Sequence, residues 1–233
     1  MERTEERGGG IETELRNVDV ALLTNRDQKR STVEVLAPVY QRAFAGEPWF
    51  EVSRCSGCAR GFSGESPGQH CAVCGTFLTS EAYPIDELTQ QLGATIASEQ
   101  SVVYLEQLDQ EVLLGALAWI GSPGEIATRK YADATPELAA WLAETLPEEC
   151  VWLDEVFASR SVRKSGNLWN FRSMCIEISQ ALNQQTLAYR SINPRIIGKA
   201  QREFGLSCRV YEPQVDIPDR RAFVVIKLEG SVR

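Results

Sequence analysis

Apolar residues recur along this chain at two spacings, and the changes from one to the other mark its elements. Val18-Asp19-Val20-Ala21-Leu22-Leu23 is short and β-prone, with Thr24 or Asn25 placed to cap the helix after it. From Gln28 to Ala45 the spacing turns helical through Val33, Leu36, Tyr40, Ala43 and Phe44, with Pro38 expected to kink or divide the helix. A second helix is expected over Pro84 to Ala97, with Ile85, Leu88, Leu92 and Ile96 on one face. Ser101–Leu105 and Glu111–Ile120 read as two strands joined in a hairpin at Asp109-Gln110. Gly115 in the second marks a bulge or a close approach. Residues 121–135 read as a loop. Thr135-Pro136-Glu137 then starts a helix running to about Leu146. A strand opens at Val151, followed by a turn and a helix to about Asn183 carrying Leu168, Phe171, Cys175, Ile178 and Leu182. Thr186–Ile192 is a strand and Pro194–Glu203 a helix ended at Gly205. Leu206–Tyr211 and Ala222–Leu228 are the closing strands. This order predicts an α/β fold with a mixed central sheet flanked by helices.

Composition narrows the picture. Residues 1–14 are charged and broken by Gly8-Gly9-Gly10, which predicts a disordered tail. They lack an apolar core of the kind a secretory signal needs. No apolar run reaches the ~18 residues of a membrane span. A cytoplasmic protein with no membrane attachment is the expectation. Thirty-two acidic residues against 24 basic leave the chain at −8, which argues against broad nucleic-acid binding.

Between the first two helices the pattern fails. Residues 53–79 carry too few apolar side chains for a core, but contain Cys55-x2-Cys58 and Cys71-x2-Cys74 separated by twelve residues. Two such pairs can place four thiolates tetrahedrally at about 2.3 Å around one structural Zn²⁺, which then supplies the folding energy the segment lacks. With seven cysteines and a reducing compartment, disulfides are the weaker explanation. His70, the single histidine, is expected to be an exposed bystander. Cys150, Cys175 and Cys208 read as core residues. A nucleic-acid knuckle is the remaining alternative, but Arg54, Arg60, His70 and Phe62 offer it little charge or stacking surface. The organisation expected is a zinc-ribbon-like insertion over 53–79 in a domain formed by 15–52 and 80–233.

The stretch Val151–Phe171, VWLDEVFASRSVRKSGNLWNF, carries the candidate chemistry: a strand with an acid, a basic Gly-containing turn, then a helix start. Exposed backbone N–H groups at a helix N-terminus make an anion site. Asp154 and Glu155 compete as the acid, since adjacent strand residues alternate faces and one alone is expected to face a cleft.

This stretch resembles the acetyl-CoA-binding motif of the GNAT N-acetyltransferase superfamily. The family pattern E-l-y-V-x-P-x-y-R-g-k-G-i-G lies over Glu155–Leu168 without a gap, matching at Arg163 and Gly166, with Arg160 at the frequent Pro and Leu168 at a Gly or Ala position. Tyr40–Trp49 resembles the end of the family's first helix. The hairpin through Gly115 resembles its second and third strands. Asn193 and Phe204-Gly205-Leu206 resemble its late N…GF motif. The resemblance spans roughly 18–229 and implies the acyl-CoA N-acyltransferase fold with acetyl-CoA as co-substrate. It assigns the cofactor to Phe157, Ala158, Arg163, Lys164, Ser165, Gly166, Asn167, Leu168 and Asn193, and the general base to Glu155, its acidity reduced by the flanking Trp152, Val156 and Phe157. The acceptor implied is a primary amine, small molecule or protein lysine or N-terminus, and the acidic balance mildly favours cationic amines. Gln201 stands where the family often has the Tyr that protonates the leaving thiolate, and Tyr189 and Tyr211 are near in sequence. The alternative is a catalytically degenerate acyl-CoA-binding or interaction protein whose zinc module docks a partner or a second copy.

Overall fold

The computed structural model of the chain describes residues 18–46, 51–55, 57, 61–63, 69–71, 74–78, 82–98, 100–130, 136–159, 171–191, 193–212 and 221–228. The expected tail, Trp49, Cys58, Thr135 and all of Arg163–Leu168 lie outside them.

Seven strands form one sheet: β1 (Asp19–Leu23), β4 (Ser101–Leu108), β5 (Glu111–Gly121), β6 (Cys150–Ala158), β7 (Thr186–Ser191), β8 (Cys208–Tyr211) and β9 (Ala222–Lys227). Their spatial order is β1-β4-β5-β6-β7-β9-β8. Every described pairing in it is antiparallel except β6 with β7, which makes the sheet mixed as expected. The hairpin between β4 and β5 turns at Asp109 and Gln110, both at positive φ (49° and 68°), the geometry a two-residue turn needs to match strand twist.

Among the described residues six helices cover the sheet: α1 (Arg26–Ala45), α2 (Ile85–Ile96), α3 (Pro123–Lys130), α4 (Pro136–Thr145), α5 (Phe171–Ala181) and α6 (Pro194–Phe204). On one face, Phe171, Met174, Cys175, Ile178 and Leu182 from α5 and its end pack with Ala200 and Phe204 of α6 on Val102, Leu114, Ala116, Val151, Leu153, Leu187 and Val224. The opposite face is covered in two halves. α1 and α2 lie over Val103, Leu105, Leu117 and Phe157. Ile126 of α3 and Leu142 of α4 lie beside Trp119, Trp152, Phe223 and Val225.

Asn25 caps α1 through its carboxamide oxygen, which accepts from the Asp27 N–H at 2.9 Å. Pro38 does not divide this helix. Buried side chains on both sides of it, Val33 to Ala37 and Val39 to Ala43, hold one continuous element against the sheet, and that packing offsets the ~3 kcal/mol cost of an internal proline. Residues 121–135 are not all loop, because α3 occupies 123–130. Its start is a reciprocal cap. Ser122 Oγ accepts from the Glu125 N–H and Glu125 Oε2 accepts from the Ser122 N–H, with Pro123 at the first helical position. Lys29 is fully buried, its ammonium donating to Ser98 O, Ser101 O and Ser101 Oγ at 2.8–3.0 Å. It ties the first turn of α1 to the segment between α2 and β4. Among the described residues no helix is long and apolar enough to cross a membrane.

The segment between α1 and α2 is not without strands. β2 (Glu51–Arg54) and β3 (Gly61–Ser63) form a separate two-stranded sheet, beginning before residue 53. Isolated bridges join Cys55 to Leu78 and His70 to Phe77.

Candidate functional site

The centre of the site is β6, and its two edges differ. Towards β5 it is laddered along its length, from Gly121↔Cys150 to Leu114↔Ala158. Towards β7 the described ladder holds only Val151↔Leu187 and Trp152↔Ala188, and ends there. From Leu153 to Ala158 this edge of β6 therefore pairs with no described strand. Phe157 and Ala158 lie on it. Backbone amides along a parted strand edge are what an extended amide-containing chain can pair with.

The second feature of β6 is a bulge. Ala118 pairs with Leu153 and Leu117 with Glu155, so Asp154 is an extra residue opposite β5. Leu153 belongs to the α5/α6 face. Glu155 shares the α1/α2 face with its partner Leu117 and with Phe157 two residues on. Asp154 reaches the same face. Trp152 Nε1–H donates to its Oδ1 at 3.1 Å, and Thr95 of α2 places its hydroxyl 3.5 Å from Oδ2. The expectation that only one of the two acids faces the cleft is thus corrected, because the bulge breaks the alternation on which it rested. Val156, expected to flank Glu155, packs on the opposite face.

Aromatic rings wall this face. Tyr40 meets Phe157 edge-on at 5.4 Å, Tyr83 at 5.4 Å and Phe44 at 4.4 Å, and Phe44 lies 5.7 Å from Tyr83. Phe157 keeps its position by lying over Gly115 directly across the strand pair, where any Cβ would overlap its ring. This is the close approach expected at Gly115. Gln41 of α1 donates to the Tyr83 carbonyl at 2.7 Å, joining the two ends of the intervening segment.

Beyond β7, Asn193 caps α6, its Oδ1 accepting from the Arg195 N–H at 3.0 Å while its own N–H donates to Ser191 Oγ. Gln201 is exposed on α6. Tyr189 is buried on β7, its hydroxyl without a hydrogen-bond partner among the described residues. Burial first, then the neighbouring Cys175, Cys208 and Glu203, push its ionisation up, so it stays a neutral phenol. Tyr211 stacks on Trp141 at 4.7 Å, in the α4 half of the opposite face.

The cysteine segment brings three of its four predicted ligands together. The sulfurs of Cys55, Cys71 and Cys74 lie within 4.8 Å of one another, with Cys55 and Cys74 at 3.3 Å. Cys58 falls outside the described residues. The Gly57 N–H points at Cys55 Sγ (3.4 Å), and Gly75, at φ 73°, turns the chain after Cys74 so that its N–H meets Cys71 O at 2.8 Å. Hydrogen bonds from the Thr76 hydroxyl and backbone, and then from Cys55, lower the exposed Cys74 thiol to about 6, giving a thiolate at neutral pH. His70 is exposed, its Nδ1 engaged with Gly75 O at 2.8 Å and its ring against Phe77. The other cysteines are unlike these. Cys150 is buried and pushed up to about 12, and burial raises Cys175 further.

Sequence reading found the strand, its acids and the thiols. It missed the bulge, the short β6–β7 ladder and the aromatic wall. Of these, only the wall had a signal, in the rings of Tyr40, Phe44 and Tyr83 around the two ends of the cysteine segment.

No family model and no curated protein matches this sequence. Solved structures do. The polyamine N-acetyltransferase of Drosophila melanogaster, an enzyme that catalyses the formation of N-acetylagmatine, superposes with a TM-score of 0.51 at 11% identity, over 90% of this chain and 99% of that one. A mosquito arylalkylamine N-acetyltransferase-like protein gives 0.49 at 10% identity, over 90% and 100%. A histone acetyltransferase and related acetyltransferase from Corynebacterium glutamicum gives 0.48 at 14% identity, over 92% and 99%. At such identities the likeness is one of architecture: this chain has the mixed α/β fold of the GNAT acyl-CoA N-acyltransferases.

Proposed function

We propose that this chain is an acetyl-CoA-dependent N-acetyltransferase acting on a primary amine by direct transfer. The parting of β6 from β7 after Trp152 and Ala188, in this fold, is the observation that carries the reading. The pantetheine arm of acetyl-CoA would pair with the backbone of Phe157 and Ala158 on that edge. Its pyrophosphate falls to Arg163, Lys164, Ser165, Gly166, Asn167 and Leu168, which come after β6 in sequence and match the family's anion-binding pattern. Asn193 has its carboxamide N–H₂ left to donate while its oxygen caps α6.

Glu155 is the proposed general base. It takes a proton from the acceptor ammonium, directly or through one water. The freed amine nitrogen attacks the thioester carbonyl carbon, a C–N bond forms, the C–S bond breaks, and the proton the nitrogen sheds on becoming an amide passes through water to the departing CoA thiolate. No protein acid is assigned to that last step, since Gln201 is exposed and carries no acidic proton. A thiolate is a good enough leaving group to depart without one.

The amine-dependent release of CoA across a panel of primary amines tests this reading. Glu155→Gln is expected to lower turnover by about 10²-fold or more while acetyl-CoA still binds by calorimetry. Unchanged turnover would remove Glu155 as the base. Gln201, at the position where the family often has a tyrosine, favours a second reading, a protein that binds acyl-CoA without transfer; binding with no amine turnover is its signature.

We further propose that Cys55, Cys71 and Cys74, with Cys58, hold one structural zinc ion. The donor set fits. Three sulfurs converge within 4.8 Å, one of them a thiolate at neutral pH, and soft thiolate ligands select this metal. When bound, the ion would cross-link the segment between α1 and α2 and take no part in transfer.

A further inference from the structure

We infer that Asp154 is a specificity-determining positioning residue, and that the acceptor carries a second cationic group close to its reacting amine. This rests on the transferase reading above and deepens it. The bulge in β6 is its foundation: one extra residue between the Ala118↔Leu153 and Leu117↔Glu155 pairs places two consecutive carboxylates on a single face. Alternating on from Leu153, a regular strand would have kept Asp154 on this face and sent Glu155 to the α5/α6 side, among buried apolar residues.

The two acids are set up differently. Asp154 is oriented by neighbours at both oxygens, the Trp152 indole N–H at 3.1 Å and the Thr95 hydroxyl at 3.5 Å. Those contacts come from β6 itself and from α2, so they fix its carboxylate relative to the wall of the cleft. Glu155 lies one residue further along β6, towards Phe157 and the strand edge where the thioester is expected. The nearer acid suits proton removal and the oriented one suits holding charge.

Coulombic logic then selects the acceptor. Two carboxylates beside one amine hold it as the ammonium, the form with no lone pair to attack with. An acceptor bearing two cationic groups resolves this, because the second group answers Asp154 while Glu155 takes the proton from the first. The half-buried rings of Phe44 and Tyr83 on the same face, backed by the buried Tyr40 and Phe157, suit the short apolar spacer between them. A short diamine is the simplest molecule of that class.

Putrescine and n-butylamine, of equal chain length and differing by one ammonium, are the probes. Wild-type protein is expected to prefer putrescine in kcat/KM by at least about tenfold. Asp154→Asn, which keeps an oxygen for the Trp152 N–H and removes only the charge, is expected to bring that ratio to within about twofold through KM rather than kcat. Asp154→Glu should recover part of it. A role confined to holding Trp152 and Thr95 in place would leave the ratio untouched in the Asn variant. Putrescine binding, followed by calorimetry with CoA present, is the second readout, with Asp154→Asn expected at least about tenfold weaker. Acetyl-CoA affinity within twofold of wild type shows that the variant is folded. No diamine preference in the wild type, or a preference and affinity that survive Asp154→Asn, would overturn the inference. If putrescine binds through Asp154 and no acetyl group is transferred, the inference stands and the transferase reading falls. If amines are acetylated with no dependence on Asp154, the reverse holds.

Discussion

The sheet and the cysteine segment solve the same problem by different means. In the sheet, apolar side chains from α5 and α6 on one side and α1 to α4 on the other leave Leu114, Leu117, Trp152, Ile178 and Phe223 with almost no exposed surface. In the segment between α1 and α2, the described buried apolar cluster is Cys55, Cys71 and Leu78. Three residues cannot offset the ordering of a loop that costs about 1–2 kcal/mol per residue in backbone entropy alone. What its described residues add to that small cluster is convergent sulfur. On the zinc reading proposed above, burial and coordination are two ways to hold a chain in place, one used in each region.

The most severe way to break this comparison is to take the metal away. With the proposed zinc ion bound, chelation, or Cys71→Ser, is expected to reduce it from one per chain to near zero. It should also remove hydrogen-exchange protection from residues 51–78 while the sheet keeps its own, since coordination is worth about 10–16 kcal/mol to segments of this kind. Exchange coupled to mass spectrometry and metal analysis read both quantities. Equal protection with and without metal would show that the segment has a core of its own.

Thiol chemistry separates the regions next. In metal-free protein at pH 7, iodoacetamide is expected to label Cys74 at least about a hundredfold faster than Cys150 or Cys175, because the thiolate is the nucleophile and of these three Cys74 alone is both exposed and ionised. Its pKa is lowered, so the reactive form persists above about 6 and labelling should slow as pH falls through that value. Equal rates at all three would mean that the buried cysteines are not shielded by the core.

The smallest effect sharpens the comparison from the other side. Leu114→Ala, at a fully buried position of β5, is expected to cost about 2–5 kcal/mol in denaturant unfolding without changing zinc content. Zinc lost in proportion to stability would show that the two regions fold as one unit.

Much of the architecture could be read from residues that settle a local choice. Asn25 as a cap, Asp109-Gln110 as a tight turn and Gly205 as a helix stop are decided within a few positions of chain, and each stands where expected. α3 was equally local, written in Ser122-Pro123-Gly124-Glu125, but its short run beside Gly and Pro reads as loop unless the reciprocal cap is recognised. The bulge at Asp154 is another matter. It exists only in the pairing of β6 with β5, which lie far apart in sequence, so strand alternation was the natural expectation and the wrong one. The length of the β6–β7 ladder has the same character, a relation between two strands written in neither. Lys29 shows a third kind of limit. Nothing in its neighbours announces that a lysine will be buried, because its acceptors come from Ser98 and Ser101.

The bond from Gln41 to the Tyr83 carbonyl has a bearing on what the chain between α1 and α2 can tolerate. These residues are 42 positions apart, yet 2.7 Å separates donor from acceptor. With the aromatic rings beside it, the bond closes the base of an excursion, so α1 and α2 meet along a seam that is indifferent to what hangs beyond it. Closure entropy rises only about 0.6 kcal/mol for each doubling of such a loop. The chain beyond this bond could therefore be lengthened or shortened at small cost to the sheet, and the seam marks where that freedom begins.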